Sequence, residues 1–132
     1  MKKLIYLLVI TIIFAACASK KDYIVTGSIE GGVEGGIVYL SFVEKGSFVN
    51  IDSSVIKNGV FTFKGRQDTV VNCYVRSKEK VGNTNRKLYG DFFLENGEIN
   101  IIITTKGSTV SGTPNNDAYQ AIRNEMYELQ KN

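Results

Sequence analysis

Glu95 and Glu98 flank Asn96-Gly97, and two carboxylates held across a tight turn are the equipment of glycoside hydrolysis or of a hard cation such as calcium. A two-residue turn sets them opposite each other at its mouth, where like charges cost a few tenths to about 1 kcal/mol. Water screens them there, and Asp91 is the one further acid close by in sequence. The pair therefore reads as a solvated turn, and no catalytic residue or metal ligand is assigned. Glu30-Gly31-Gly32-Val33-Glu34-Gly35-Gly36 is as glycine-dense as a phosphate loop, but a phosphate cradle needs a helix N-terminus behind it. A strand pattern from Ile37 to Val43 follows instead, and two glutamates repel an anion, so the segment reads as a turn. Cys73 alternates with Val71 and Val75, which groups it with apolar neighbours and marks a packing thiol.

Arg76, Lys78, Lys80, Arg86 and Lys87 surround a single acid, Glu79. Their centre, Val81-Gly82-Asn83-Thr84-Asn85, is a loop by composition. The plain reading is a hairpin loop kept soluble by its charge. The functional alternative is contact with anionic lipid headgroups, to which each basic residue near the surface contributes about 1 kcal/mol. No aromatic residues interleave with the lysines, so no nucleic-acid partner is expected. Tyr39, Phe42, Phe48, Tyr74 and Phe93 could line a groove or fill the core, and periodicity leaves both open.

The other cysteine has a different setting. Lys2-Lys3 precedes an apolar run from Leu4 to Phe14, then the small pair Ala15-Ala16, then Cys17. A positive start, an apolar core of roughly 7 to 15 residues and small residues at the cut form a secretory signal. The run is too short to cross a hydrocarbon layer of ~30 Å. Phe14-Ala15-Ala16-Cys17 looks like a bacterial lipobox, with Phe14 where leucine is usual. Cleavage between Ala16 and Cys17 with acylation of the Cys17 sulfur is the expected processing. Each buried CH₂ contributes about 0.8 kcal/mol, and two or more chains anchor stably where one does not.

The expected organisation is a lipoprotein signal over residues 1–16, a polar tether over 17–22, an antiparallel β domain over 23–113 and an amphipathic helix over 114–132. What remains after the leader is the length of one compact domain. Lys2 and Lys3 fall in the leader, so the remaining basic residues nearly match the 13 acidic ones, and bulk charge selects no nucleic acid. With Cys17 acylated, Cys73 has no partner for a disulfide. The chain has no histidine, which excludes His-dependent triads, most zinc sites and haem ligation; no cofactor is expected.

Strand patterns run over Tyr23 to Ile29, Ile37 to Val43, Phe48 to Lys57, Val60 to Gly65, Val70 to Ser77, Lys87 to Glu95, Glu98 to Thr105 and Thr109 to Ser111. They predict an all-β fold with a C-terminal helix, an antiparallel β-sandwich or half-barrel of about eight strands. Asn58-Gly59 suits a type I′ turn pairing Lys57 with Val60, Ile56 with Phe61 and Ser54 with Phe63. Asn96-Gly97 would likewise pair Glu95 with Glu98, Leu94 with Ile99 and Phe92 with Ile101, giving a meander with those four apolar residues on one inner face.

After Pro114, Asn115 or Asn116 can cap a helix whose Ala118, Ile122, Met126 and Leu129 recur at three- and four-residue spacing. A lone helix of about four turns is marginal in water. Its apolar stripe must meet either its own sheet or something outside the chain.

Tyr23-Ile-Val-Thr-Gly27, Val38-Tyr39-Leu40, Ile51-Asp52-Ser53-Ser54 leading to Lys57-Asn58-Gly59-Val60-Phe61-Thr62-Phe63-Lys64-Gly65, Phe92-Phe93-Leu94-Glu95-Asn96-Gly97 and Val110-Ser111-Gly112-Thr113-Pro114-Asn115-Asn116 resemble the domain of unknown function 4369 family over nearly the whole chain after the tether. That resemblance implies a cell-envelope protein of Bacteroidota behind a lipoprotein signal. In many relatives the domain precedes a thioredoxin-like or peroxiredoxin-like domain. This chain has no Cys-x-x-Cys, and the family offers no catalytic residue to carry over. The expectation is a non-enzymatic interaction or positioning module, held in the envelope through Cys17 at the outer membrane, facing the periplasm or the surface. A protein partner would meet the C-terminal helix. The alternative is an accessory or truncated N-terminal domain of a thioredoxin-like thiol-disulfide oxidoreductase.

Overall fold

The computed structural model describes residues 22–81 and 86–132. The expected leader and tether up to residue 21, including Ala16 and Cys17, and the loop centre at 82–85 lie outside the described residues.

Eight strands and one helix follow in order: β1 Tyr23–Ile29, β2 Ile37–Glu44, β3 Ser47–Val55, β4 Phe61–Gly65, β5 Val71–Ser77, β6 Tyr89–Leu94, β7 Gly97–Thr104, β8 Gly107–Ser111 and α1 Pro114–Gln130. They form two four-stranded sheets ordered β4-β1-β7-β8 and β3-β2-β5-β6. Alternation of buried and exposed residues is clearest in β4, β7 and β8, as expected where one face of a sheet packs on another layer. Val25, Phe61, Phe63, Ile99, Ile101, Ile103 and Val110 of one sheet are buried with Val38, Leu40, Cys73, Val75, Phe92 and Leu94 of the other in one core. The all-β sandwich with a terminal helix is thus what the sequence pattern predicts.

The pairing inside it differs from a simple meander. β1 and β7 run parallel, from Tyr23 opposite Gly97 to Ile29 opposite Ile103. A parallel pair needs a long crossover, and the whole second sheet lies within that connection.

Both Asn-Gly turns carry the chain between layers. Asn58 and Gly59 take φ of 52° and 76°, and Lys57 and Val60 exchange bonds of 2.9 and 3.0 Å, as a type I′ turn requires. Past that bridge the strands part, β3 to pair with β2 and β4 with β1. The Ile56 backbone bonds to Gly35 and Gly36 instead of Phe61. Ser54 reaches β4 only through its hydroxyl, which accepts from the Thr62 amide at 3.2 Å, so the expected Ser54–Phe63 pair does not form. At Asn96-Gly97 the correction is larger, because β6 and β7 belong to different sheets. Phe92, Leu94, Ile99 and Ile101 are all buried, but they oppose one another across the interlayer space and not along a ladder. The physical reason is shared: four large apolar side chains lose more water between two layers than on one face of a flat meander. A hairpin whose strands do stay together is β2–β3, turned by Lys45 and Gly46 at φ of 50° and 78°.

Candidate functional site

A sandwich leaves the outermost strands of each sheet with unpaired backbone groups. On one side those strands are β6 and β8, and α1 lies against both. Asn116 is wholly buried (0% exposed). Its Oδ1 accepts from the Phe93 amide at 2.8 Å and its Nδ2 donates to the Phe93 carbonyl at 2.8 Å, so one side-chain amide acts toward β6 as a neighbouring strand would. Gln120 Oε1 accepts from the Val110 amide at 3.0 Å, and Arg123 Nη2 donates to the Ser108 carbonyl at 2.8 Å, doing the same for β8. Tyr119 sets its ring edge-on to Phe93 at 5.2 Å and donates its hydroxyl to Asp91. That bond, then burial, raises the Tyr119 pKa above its ordinary value.

Residues 116, 119, 120 and 123 fall at i, i+3, i+4 and i+7, one face of a helix. That docked face is polar. The apolar stripe points away: Ile122, Met126 and Leu129 are 56%, 55% and 69% exposed, and Ala118 is exposed as well. Of the two expected destinations for the stripe, its own sheet is therefore excluded. Edge strands need hydrogen-bond partners more than they need apolar cover, and an unpaired buried N–H or C=O costs about 1 to 3 kcal/mol.

Thr113 occupies the N-cap position of α1 without a side-chain cap bond, and Pro114 follows in the first turn, where a missing N–H is harmless. The expected caps lie inside the helix, because Asn116 is taken up by β6. Glu95 meets this end of the helix and not Glu98: its carboxylate accepts from the Asn115 amide at 3.0 Å and the Asn115 side chain at 2.6 Å. Burial pushes the Glu95 pKa up, but hydrogen bonds from the Thr113 and Asn115 side chains and the Asn115 and Asn116 amides outweigh it, leaving it below the ordinary carboxylate value. Glu98 is exposed on β7. The carboxylate pair expected at the turn mouth is thus pulled apart, one member serving as a helix anchor. Among the described residues no group of three or more acidic or cysteine side chains is placed to hold a metal ion.

The glycine-dense segment is a turn before β2, as expected. Its Glu34 accepts from the Asn58 amide at 2.8 Å and its Glu30 from the Thr105 amide at 2.8 Å, so both glutamates tie neighbouring loops. Cys73 is buried in the core, and burial raises its thiol pKa to about 11, the setting of an inert packing residue. An apolar recess of about 460 Å³ opens beside it, lined by Tyr23, Phe42, Ile51, Gln67 and Val71.

The basic run is divided by the fold. Arg76 lies on the outer face of its sheet, 4.1 Å above the Phe48 ring and donating to Asn50 at 3.0 Å. Arg86 and Lys87 line a cleft of about 450 Å³ together with Lys106 from the β7–β8 turn and Arg123 from α1. Lys106 and Arg123 belong to no local cluster, so sequence spacing could not have gathered them. Phe48 and Tyr74 meet edge to face at 5.3 Å on the outer surface of that sheet, whereas Phe42 packs against the core. The aromatic set is therefore split as well.

Among the described residues no helix is long and apolar enough to cross a membrane, which leaves membrane-spanning strands unaddressed. No curated protein and no solved structure matches the chain. The family described as "Domain of unknown function (DUF4369)" matches residues 23–119, from the first residue of β1 to Tyr119 of α1, and so spans both sheets and the start of the helix, including Asn116. The chain belongs to that family.

Proposed function

We propose that this protein is a non-enzymatic interaction module of the cell envelope, anchored to a membrane through acylated Cys17 and offering the free stripe of α1 to a protein partner. The observation that carries the reading is the helix itself. Polar side chains clamp it to the edge strands, leaving Ile122, Met126 and Leu129 exposed. Such a stripe is costly to keep in water, because each large apolar side chain is worth about 1.5 to 3 kcal/mol on burial. A rigidly held helix with an uncovered apolar face suits helix-in-groove recognition. Inert Cys73 and the separated Glu95 and Glu98 supply no nucleophile or acid–base pair, which supports a binding role over a catalytic one.

The anchoring half of the reading is tested by intact mass spectrometry of the native protein and by cell fractionation. An N-terminal Cys17 carrying acyl chains and a membrane-bound protein that becomes soluble in Cys17→Ser cells are the expected results. A native N-terminus without lipid, or an unchanged distribution for the variant, would defeat it. The same stripe is also what a thioredoxin-like domain would cover if the chain serves as its accessory. A Cys-x-x-Cys protein encoded alongside, cross-linking to position 122, would select that version of the module.

A further inference from the structure

We infer that the cleft between the start of β6, the β7–β8 turn and α1 is a binding site for a phosphate group. This goes beyond the partner-binding reading, since it concerns a different surface and holds whether or not Cys17 is acylated.

Arg123 sits at the back of the cleft with its two terminal nitrogens differently placed. Nη2 is spent on the Ser108 carbonyl at 2.8 Å, whereas Nη1 is buried and has no hydrogen-bond acceptor. The nearest carboxylate oxygen, Asp91 Oδ1, stands 3.8 Å from it, outside hydrogen-bonding distance, and the other oxygen of Asp91 is occupied by the Tyr119 hydroxyl. Nη1 is therefore held by its ion pair with Asp91 and not by a hydrogen bond, and the guanidinium contributes its positive charge to the cleft wall.

The walls select the sign of a ligand. Arg86, Lys87, Lys106 and Arg123 line the space, and Asp91 is the one carboxylate among the lining residues. Glu30 borders the turn, but its carboxylate is engaged by the amide and hydroxyl of Thr105 at 2.8 and 3.1 Å. The hydroxyl of Thr104 is bonded within its own turn, to the Gly107 carbonyl at 2.9 Å. With Asp91 the single carboxylate against Lys87, Lys106 and Arg123, the lining is net positive without counting Arg86. Guanidinium and ammonium groups converging from three separate segments match the several oxygens of a phosphate better than a single carboxylate. A volume of about 450 Å³ holds a phosphate ester together with part of the group it is attached to. The phosphate can come from a soluble phosphate compound or from the headgroup of an anionic lipid.

Titration with inorganic phosphate, against sodium chloride at equal ionic strength, is read by amide chemical shifts in the ¹⁵N-labelled protein. Saturable shifts over residues 86–91 and 104–108, absent with chloride, are expected. Lys87 and Lys106 are exposed, so Lys87→Gln/Lys106→Gln keeps its melting temperature while phosphate binding weakens roughly tenfold; Lys106→Gln alone gives a smaller loss. Vesicles of phosphatidylglycerol are then compared with phosphatidylcholine, which separates headgroup binding from simple insertion of an anchor. A preference for phosphatidylglycerol that phosphate competes away assigns the site to a headgroup. Phosphate binding without that preference assigns it to a soluble phosphate compound. Shifts that rise without saturation, that chloride reproduces, or that the double variant leaves unchanged would overturn the site.

Discussion

Replacing Asn116 with leucine keeps the branched skeleton of the side chain, in a somewhat larger volume, but removes every hydrogen bond the buried amide makes. Three bonds disappear: from the Phe93 amide, to the Phe93 carbonyl and to Thr113 Oγ1, each 2.8 Å long. The Phe93 N–H and C=O are then covered by an apolar side chain with no partner, and each such group costs about 1 to 3 kcal/mol. The extra apolar contact of leucine offsets part of this, so a net loss of about 2 to 4 kcal/mol is expected. For a domain of this size that corresponds to a fall of roughly 8 to 16 °C in Tm. Thermal unfolding followed by circular dichroism measures it, with Ile122→Ser and Leu129→Ser as controls. Those two side chains are exposed, and their variants should stay within about 0.5 kcal/mol of the parent. If Asn116→Leu proves neutral while the stripe variants lose several degrees, α1 is docked by its apolar face and the reasoning fails.

Other expectations concern the helix end and the core. Deleting the chain from Asn116 onward should lower Tm even though the apolar stripe is exposed, because Phe93, Val110 and Ser108 lose their edge partners; an unchanged Tm would mean that water serves those strands equally well. Glu95 has a folded pKa below its ordinary 4.5, so its contribution is complete above that value and is lost as the pH falls through the lowered one. Glu95→Gln should therefore flatten the stability profile just below 4.5, measured by urea unfolding across that window, and a profile of unchanged slope would remove Glu95 from the cap. With its thiol at about 11, Cys73 should resist iodoacetamide at a pH of about 8 and react once guanidinium chloride unfolds the chain; rapid labelling of the native protein would contradict its burial.

How far sequence could reach is seen at particular residues. Strand positions and the two-layer class were legible because alternation along β4 and β7 is a local property of each segment. Asn58-Gly59 announced its turn type correctly, yet a turn fixes only the residues beside it. Whether β3 and β4 stay in one sheet is settled by where Phe61 and Phe63 bury, which is a property of the whole core. The same limit misplaced Glu95, which faces Asn115 and not Glu98. In the helix, periodicity marked Ala118, Ile122, Met126 and Leu129 as the apolar face, but not which face an unfinished sheet edge would require. Asn116, Gln120 and Arg123 sit at matching spacing and carried the answer in their amide and guanidinium groups. The cleft was out of reach, since Lys106 and Arg123 join Arg86 and Lys87 only after both sheets and the helix have assembled.

In the proposed role the α1 stripe is open in the isolated protein and covered in the envelope. Ile122→Cys in a Cys73→Ser background reads this directly, with maleimide labelling of residue 122 located by peptide mass spectrometry in purified protein and in intact envelopes. Fast labelling of the purified protein and strong protection in the envelope are predicted. Protection in the purified protein would put the stripe on its own sheet, and equal labelling in both would mean that no partner covers it; either result contradicts the account.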